Sequence, residues 1–90
     1  MIGRIVCSKS GRDKGYFMVV IGQENGYLYV CDGRERPIER PKKKNRKHIM
    51  PTNTVLTENE FKTNKSLKKA LAVYRDSAGQ REEPICPKKT

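Results

Sequence analysis

Gly11-Arg12-Asp13-Lys14-Gly15 sets three charged residues between two glycines, and Tyr16-Phe17-Met18-Val19-Val20 follows at once. Glycine permits sharp turns, so this pentapeptide reads as a tight loop that displays charge. The chemistry it suits is gripping a polyanion. With Lys9 it makes a first basic cluster: Lys9, Arg12 and Lys14. A second cluster comprises Arg40, Lys42, Lys43, Lys44, Arg46 and Lys47, and His48 closes it. Arginine meets phosphate with two parallel hydrogen bonds and stacks on rings, while lysine supplies a point charge. Phosphate contacts from such clusters supply most of the affinity and fix the register of a bound nucleic acid. Tyr16 and Tyr27, each beside a turn, suit stacking on unpaired bases. Phe17 reads instead as a core residue, and Asp13 as a brace for its turn through backbone N–H groups.

Catalysis asks for a nucleophile with a base, paired carboxylates or a metal. The chain holds one histidine and ten acids, half of the acids next to Lys or Arg. His48, which follows Arg46 and Lys47, reads as a phosphate contact or a partly buried barrel position, not as a base or a metal ligand. Gly11 and Gly15 lack the spacing and the following helix of a phosphate-binding or dinucleotide-binding loop. Cys7, Cys31 and Cys86 form no Cys-x-x-Cys pair, so neither a zinc site nor a disulfide framework is expected. Cys7 and Cys31 fall in strand-like runs and read as small buried side chains, with Cys86 in an exposed tail. No cofactor and no enzymatic activity are expected.

These residues need elements to position them. Gly3-Arg4-Ile5-Val6-Cys7-Ser8 and the run from Tyr16 read as two strands flanking the charged loop. Asn25-Gly26 between Met18–Ile21 and Tyr27–Cys31 is a strong hairpin signal, since both residues tolerate positive φ. A regular two-residue turn pairs Glu24 with Tyr27, Ile21 with Val30 and Val20 with Cys31. It then puts Val19, Ile21, Leu28 and Val30 on one face, the expected core. Arg34 to Lys47 carries Pro37 and Pro41, which exclude a helix interior. This stretch reads as an extended loop with a short strand near Ile38. Taken alone, Lys42-Lys43-Lys44 suits a solvated loop equally well; next to the Gly11–Gly15 loop it gains meaning. Ile49, Val55 and Leu56 offer one or two further strands, with Pro51 at an edge or turn.

Beyond Leu56 the period changes. Thr57-Glu58-Asn59-Glu60 matches a capping box, and Thr63 or Asn64 is a second cap. Leu67, Ala70, Leu71 and Tyr74 recur at helical spacing, with Lys65, Lys68, Lys69 and Arg75 mostly off that face. A helix is expected from about Lys65 to Asp76. About five short strands and a terminal helix make a mostly β domain, a small barrel with the helix across an open end or flank. Residues 1–56 form the barrel, 57–76 the helical segment and 77–90 a disordered tail.

The formal net charge is +10 on 90 residues. So much like charge destabilises a compact monomer and favours an anionic partner. No stretch approaches a membrane span and no signal-peptide pattern opens the chain. A cytoplasmic monomer is expected.

Over about Gly3–Gly22 the sequence resembles a KOW module, in which a strand, a Gly-x-x-Lys-Gly loop and a second strand follow one another. His48-Ile49-Met50-Pro51-Thr52 is similar to a His-Leu-Met-Pro-Thr stretch in a KOW-containing large-subunit ribosomal protein of eukaryotes. The whole chain resembles short bacterial KOW proteins grouped with large-subunit ribosomal protein families of eukaryotes and archaea. The resemblance implies an SH3-like barrel that binds structured ribosomal RNA through Arg12, Lys14 and the Lys42–Lys47 run. Many KOW loops carry Gly or Lys where Tyr16-Phe17 stand here, so the second strand is expected to begin early. KOW modules also occur in transcription elongation factors. The alternative is therefore an accessory factor that docks a protein through the hairpin Val19–Cys31 or the helix.

Overall fold

The structure is a computed structural model and describes residues 2–9 and 15–77. Strands β1 (Arg4–Ser8), β2 (Phe17–Glu24), β3 (Tyr27–Cys31), β4 (Lys42–Asn45) and β5 (Ile49–Val55) precede one helix, α1 (Asn64–Ser77). Single-turn 3-10 helices at Arg46–His48 and Glu58–Glu60 join β4 to β5 and β5 to α1. The strands make one sheet in the order β4-β3-β2-β1-β5, antiparallel throughout.

That order forces closure. β4 and β5 are the two edges, yet only the Arg46–His48 turn links them. A 3-10 turn of this length advances roughly 8 Å, since it rises about 2 Å per residue. Four inter-strand steps of about 4.8 Å would put the edges of a flat sheet roughly 19 Å apart. The sheet must therefore curl until its edges meet at the turn. The result is a mostly β domain with the architecture of a small SH3-like barrel and a C-terminal helix, as expected.

Asn25 and Gly26 both have positive φ, at 46° and 84°, and close the β2–β3 hairpin as a two-residue turn. Beyond it the expected register holds for three pairs, Glu24–Tyr27, Gln23–Leu28 and Gly22–Tyr29, and then shifts. Val20 pairs with Val30 and Val19 with Cys31, so Ile21 is the extra residue of a bulge. Moving the register by one residue sends each side chain to the opposite face. Val19, Ile21, Leu28 and Val30 therefore do not share one face. Leu28 and Val30 join Val6, Met18, Val20 and Ile49 inside the barrel. Val19 joins Ile5 and Cys31 on the outer side, with Ile21 packed beside them. Gly22 marks the slip: a Cβ there would lie 3.3 Å from the Tyr29 ring, which covers this part of the backbone.

The outer cluster is buried by α1. Leu67, Leu71 and Tyr74, at helical spacing, cover Ile5, Val19 and Cys31, and Leu56 completes the layer. Phe17 meets Tyr74 edge-to-face, with centroids 5.0 Å apart. Burial of each large apolar side chain here contributes about 1.5–3 kcal/mol. Thr63 caps the helix: its Oγ1 accepts from Ser66 N–H at 3.1 Å, and Ser66 Oγ accepts from Thr63 N–H at 3.2 Å. The capping box at Thr57 also forms, with Thr57 N–H donating to Glu60 Oε1, but it opens a 3-10 turn only.

Two further expectations need correction. Lys42–Asn45 is a strand paired with β3, not a loop, and Ile38 lies in a turn, not a strand. Lysine and asparagine carry little strand signal, but the free edge of β3 supplies the partner that orders them. Ile38 instead packs at the margin of the outer cluster, and its N–H donates to Asn64 Oδ1 at 2.7 Å. Cys7 is buried, as expected. Cys31 is a free, buried thiol whose pKa is pushed up to about 12, chiefly by burial and then by the charges of Asp32 and Glu39. The tail expected over 77–90 lies, from residue 78 on, outside the described residues, as does Cys86. No described helix is long and apolar enough to cross a membrane.

Candidate nucleic-acid interface

β4 sorts its residues by alternation. Lys42 and Lys44 point to one face, Lys43 and Asn45 to the other. Lys44 stands opposite Leu28, a barrel-core residue, and is itself buried. Lys42 is half-buried on the same face, while Lys43 is exposed. Lysine 44 thus contributes its stem to packing, and of the three lysines Lys43 presents most to solvent.

Lys43 stands beside Tyr29 and Tyr27 on the outer face of the β3–β4 pair. Its Nζ sits 4.7 Å from the centroid of the Tyr27 ring. An exposed cation–π contact of this kind is worth about 0.5–1 kcal/mol. Tyr27 is 39% exposed, so its ring remains accessible. Tyr29 is less so. Its hydroxyl donates to Glu24 Oε2 at 2.7 Å, and that bond, with burial and the carboxylate charge, raises its pKa.

The next element is held at both ends. Asn45 caps the 3-10 turn, its Oδ1 accepting from Lys47 N–H at 2.9 Å. Arg46 N–H donates to the Gly26 carbonyl at 3.2 Å, tying the turn to the β2–β3 hairpin. Lys9 N–H donates to the His48 carbonyl at 2.8 Å, tying it to the end of β1. Arg46, Lys47 and His48 are all exposed. An open groove of about 260 Å³ passes between Arg46 and the Glu24–Tyr27 turn. The structure thus joins Lys43, Tyr27, Arg46, Lys47, His48 and Lys9 into one exposed basic surface with an aromatic ring at its edge. Because the cations sit on fixed backbone, phosphate contact has to order their side chains but not the chain that carries them.

The remaining candidates lie elsewhere. Arg12 and Lys14 fall outside the described residues. Tyr16 lines a different groove, of about 180 Å³, with Arg34, Glu35 and Arg75. Arg40 belongs to the Pro37–Arg40 turn beside the start of α1, where Glu39 accepts two hydrogen bonds from the Asn64 amide. Those bonds, foremost the Asn64 side chain, lower the Glu39 pKa. Arg34, Lys65, Lys68, Lys69 and Arg75 are exposed cations that the sequence reading did not assign to a site. For the four on α1 the signal was their position off its apolar stripe. Among the described residues no group of three His, Cys, Asp or Glu side chains comes together to hold a metal ion.

No protein-family model matches the chain, and no match is found among curated proteins.

Proposed function

We propose that this chain is a KOW-type RNA-binding protein that acts without catalysis as a cytoplasmic monomer and contacts structured ribosomal RNA. The observation that carries this reading is the Arg46–His48 turn, stapled by backbone hydrogen bonds to Gly26 and Lys9. It presents consecutive cations in a fixed frame beside Tyr27. Phosphates would be met by Lys9, Lys43, Arg46, Lys47 and His48, and an unpaired base would stack on Tyr27. The sequence adds Arg12 and Lys14 from the Gly11–Gly15 loop, whose flanking residue Lys9 adjoins His48. Shape and backbone would dominate recognition, with base identity read weakly.

A protein-docking role for the hairpin or helix would need an apolar exposed side. The hairpin shows Tyr27, with Lys43 of the adjoining β4 over its ring, and α1 shows lysines with Val73 as its large exposed apolar residue. These features favour RNA.

Titration of a labelled, folded ribosomal RNA fragment across a salt series tests the reading. With roughly five phosphates engaged, log affinity is expected to fall against log salt with a slope of about −3 to −5. A flat response would overturn it. For the ribosomal target, the protein is expected in ribosomal fractions of a low-salt sucrose gradient, and its absence from all of them would remove that assignment.

A further inference from the structure

α1 carries Lys65, Lys68 and Lys69 in its first two turns, all exposed, with no acid in the first turn. This placement opposes helix stability. The N-terminal end of a helix is the positive pole of its dipole and favours acids. Like charges spaced by three or four residues also repel. Anchoring by Leu67, Leu71 and Tyr74 from the opposite face lets the helix tolerate the cost.

The lysines line an open groove of about 470 Å³ between α1 and Gly33. Gly33 has φ +76°, and a Cβ there would lie 2.5 Å from the Asn64 carbonyl oxygen. The absence of a side chain is what lets the loop meet the helix and form the floor of the groove. On the other side of the Asp32–Arg36 loop, Arg75, one turn beyond Ala72 on the same stripe, faces the second groove with Arg34 and Tyr16. Asp32 holds that loop through hydrogen bonds from the N–H groups of Arg34 and Arg36, each 2.9 Å. This face shares no residue with the Lys9–Arg46–Tyr27 surface and lies on different elements.

We infer that the α1 face, with Lys65, Lys68, Lys69, Arg75, Arg34 and Tyr16, is a second contact surface for a phosphodiester backbone. It engages a separate segment of the same RNA, so that the protein bridges two arms of a folded molecule. This rests on the RNA-binding reading of the first surface. The partner follows from charge complementarity. Three lysines line the first open groove with no acid among its lining residues, and Arg34 and Arg75 share the second with Asp32, Glu35 and the exposed ring of Tyr16. The lysines therefore supply most of the attraction for a phosphate chain, and the ring suits an occasional stacked base.

The test compares wild type with two variants, Lys65→Gln/Lys68→Gln/Lys69→Gln and Arg46→Gln/Lys47→Gln. Each is titrated against a labelled RNA hairpin with one arm and a junction RNA with two. The helix variant is expected to bind the junction roughly tenfold more weakly, with a salt slope shallower by about 2–3 from three lost phosphate contacts. On the single hairpin it should lose less than about threefold, since one arm fills the first surface. Its circular-dichroism melt should be unchanged or slightly higher, because repulsion is relieved. Undiminished junction binding by the helix variant, with loss in the Arg46/Lys47 variant, overturns the second surface and leaves the first intact. Equal losses on both RNAs would put the lysines in the first surface and overturn the bridge. If wild type binds neither RNA, the RNA-binding reading itself falls.

Discussion

The Arg46–His48 turn and the lysine face of α1 carry similar charge on different supports. The turn contains no buried residue and owes its place to backbone hydrogen bonds at Gly26 and Lys9 and to the Asn45 cap. The lysines of α1 ride on a helix held from behind by Leu67, Leu71 and Tyr74. One surface is fixed by hydrogen-bond geometry, the other by hydrophobic burial. Damage to the core should therefore disable the second while sparing the first, and loss of a cap should do the reverse.

Leu67→Ala should break this contrast most severely. Leu67 is fully buried in the outer cluster, and truncating such a leucine costs about 2–5 kcal/mol. Thermal melts should show the loss, and hydrogen exchange should rise in α1 before it rises in β2 and β3. Uniform exchange across the chain would mean that helix and barrel open as one unit. Gly33→Ala should come next, at roughly 1–3 kcal/mol for a strained positive-φ position, with more if the backbone clash with Asn64 is not relieved. Its melt should fall while the hairpin Val19–Cys31 keeps its exchange protection.

Asn45→Ala should act on the other support, at about 1 kcal/mol for a lost cap. The expected outcome is several-fold weaker binding to a single RNA hairpin with only a small change in melting temperature. A large melting shift without a binding change would show the cap to be structural only. The smallest effect concerns Glu39. Its folded-state pKa is lowered by the Asn64 amide, so the stabilisation is present above the unfolded pKa and is lost as pH falls through the folded one. Melts of wild type should drop slightly more between neutral and acidic pH than melts of Glu39→Gln, and parallel curves would rule the contact unimportant.

The sequence made some of this visible and hid the rest for physical reasons. Asn25-Gly26 announced the hairpin because local φ preferences dictate that turn, and Leu67, Leu71 and Tyr74 announced α1 through their period. Lys42-Lys43-Lys44 did not announce a strand, since side chains of one polarity have no alternation to read. Their alternation appears only once β3 supplies a core on one side, and it then buries Lys44 and exposes Lys43. The basic residues 46–48 were legible as a cluster. Their neighbour Lys9 was legible as a cation, and a small barrel was expected to bring the two basic loops together on one rim. That Lys9 and His48 are the residues that meet follows from the long-range β1–β5 pairing. The neighbours of Tyr16 were hidden for the same reason: its groove is built from α1 and the Asp32–Arg36 loop, far along the chain.

The extra residue at Ile21 has a wider consequence. Phe17 to Ile21 is apolar without a break, and both sides of β2 meet a core. Hydrophobicity alone therefore cannot say which of these residues belong inside the barrel and which under the helix. The assignment is made by counting back from a turn through one inserted position. In effect β2 has a reading frame. Exchanges among apolar residues alter its spelling and leave the sense intact, whereas removal of a single residue between the turn and Val20 would trade the two cores for one another. Over evolutionary time this strand should accept many substitutions and very few deletions.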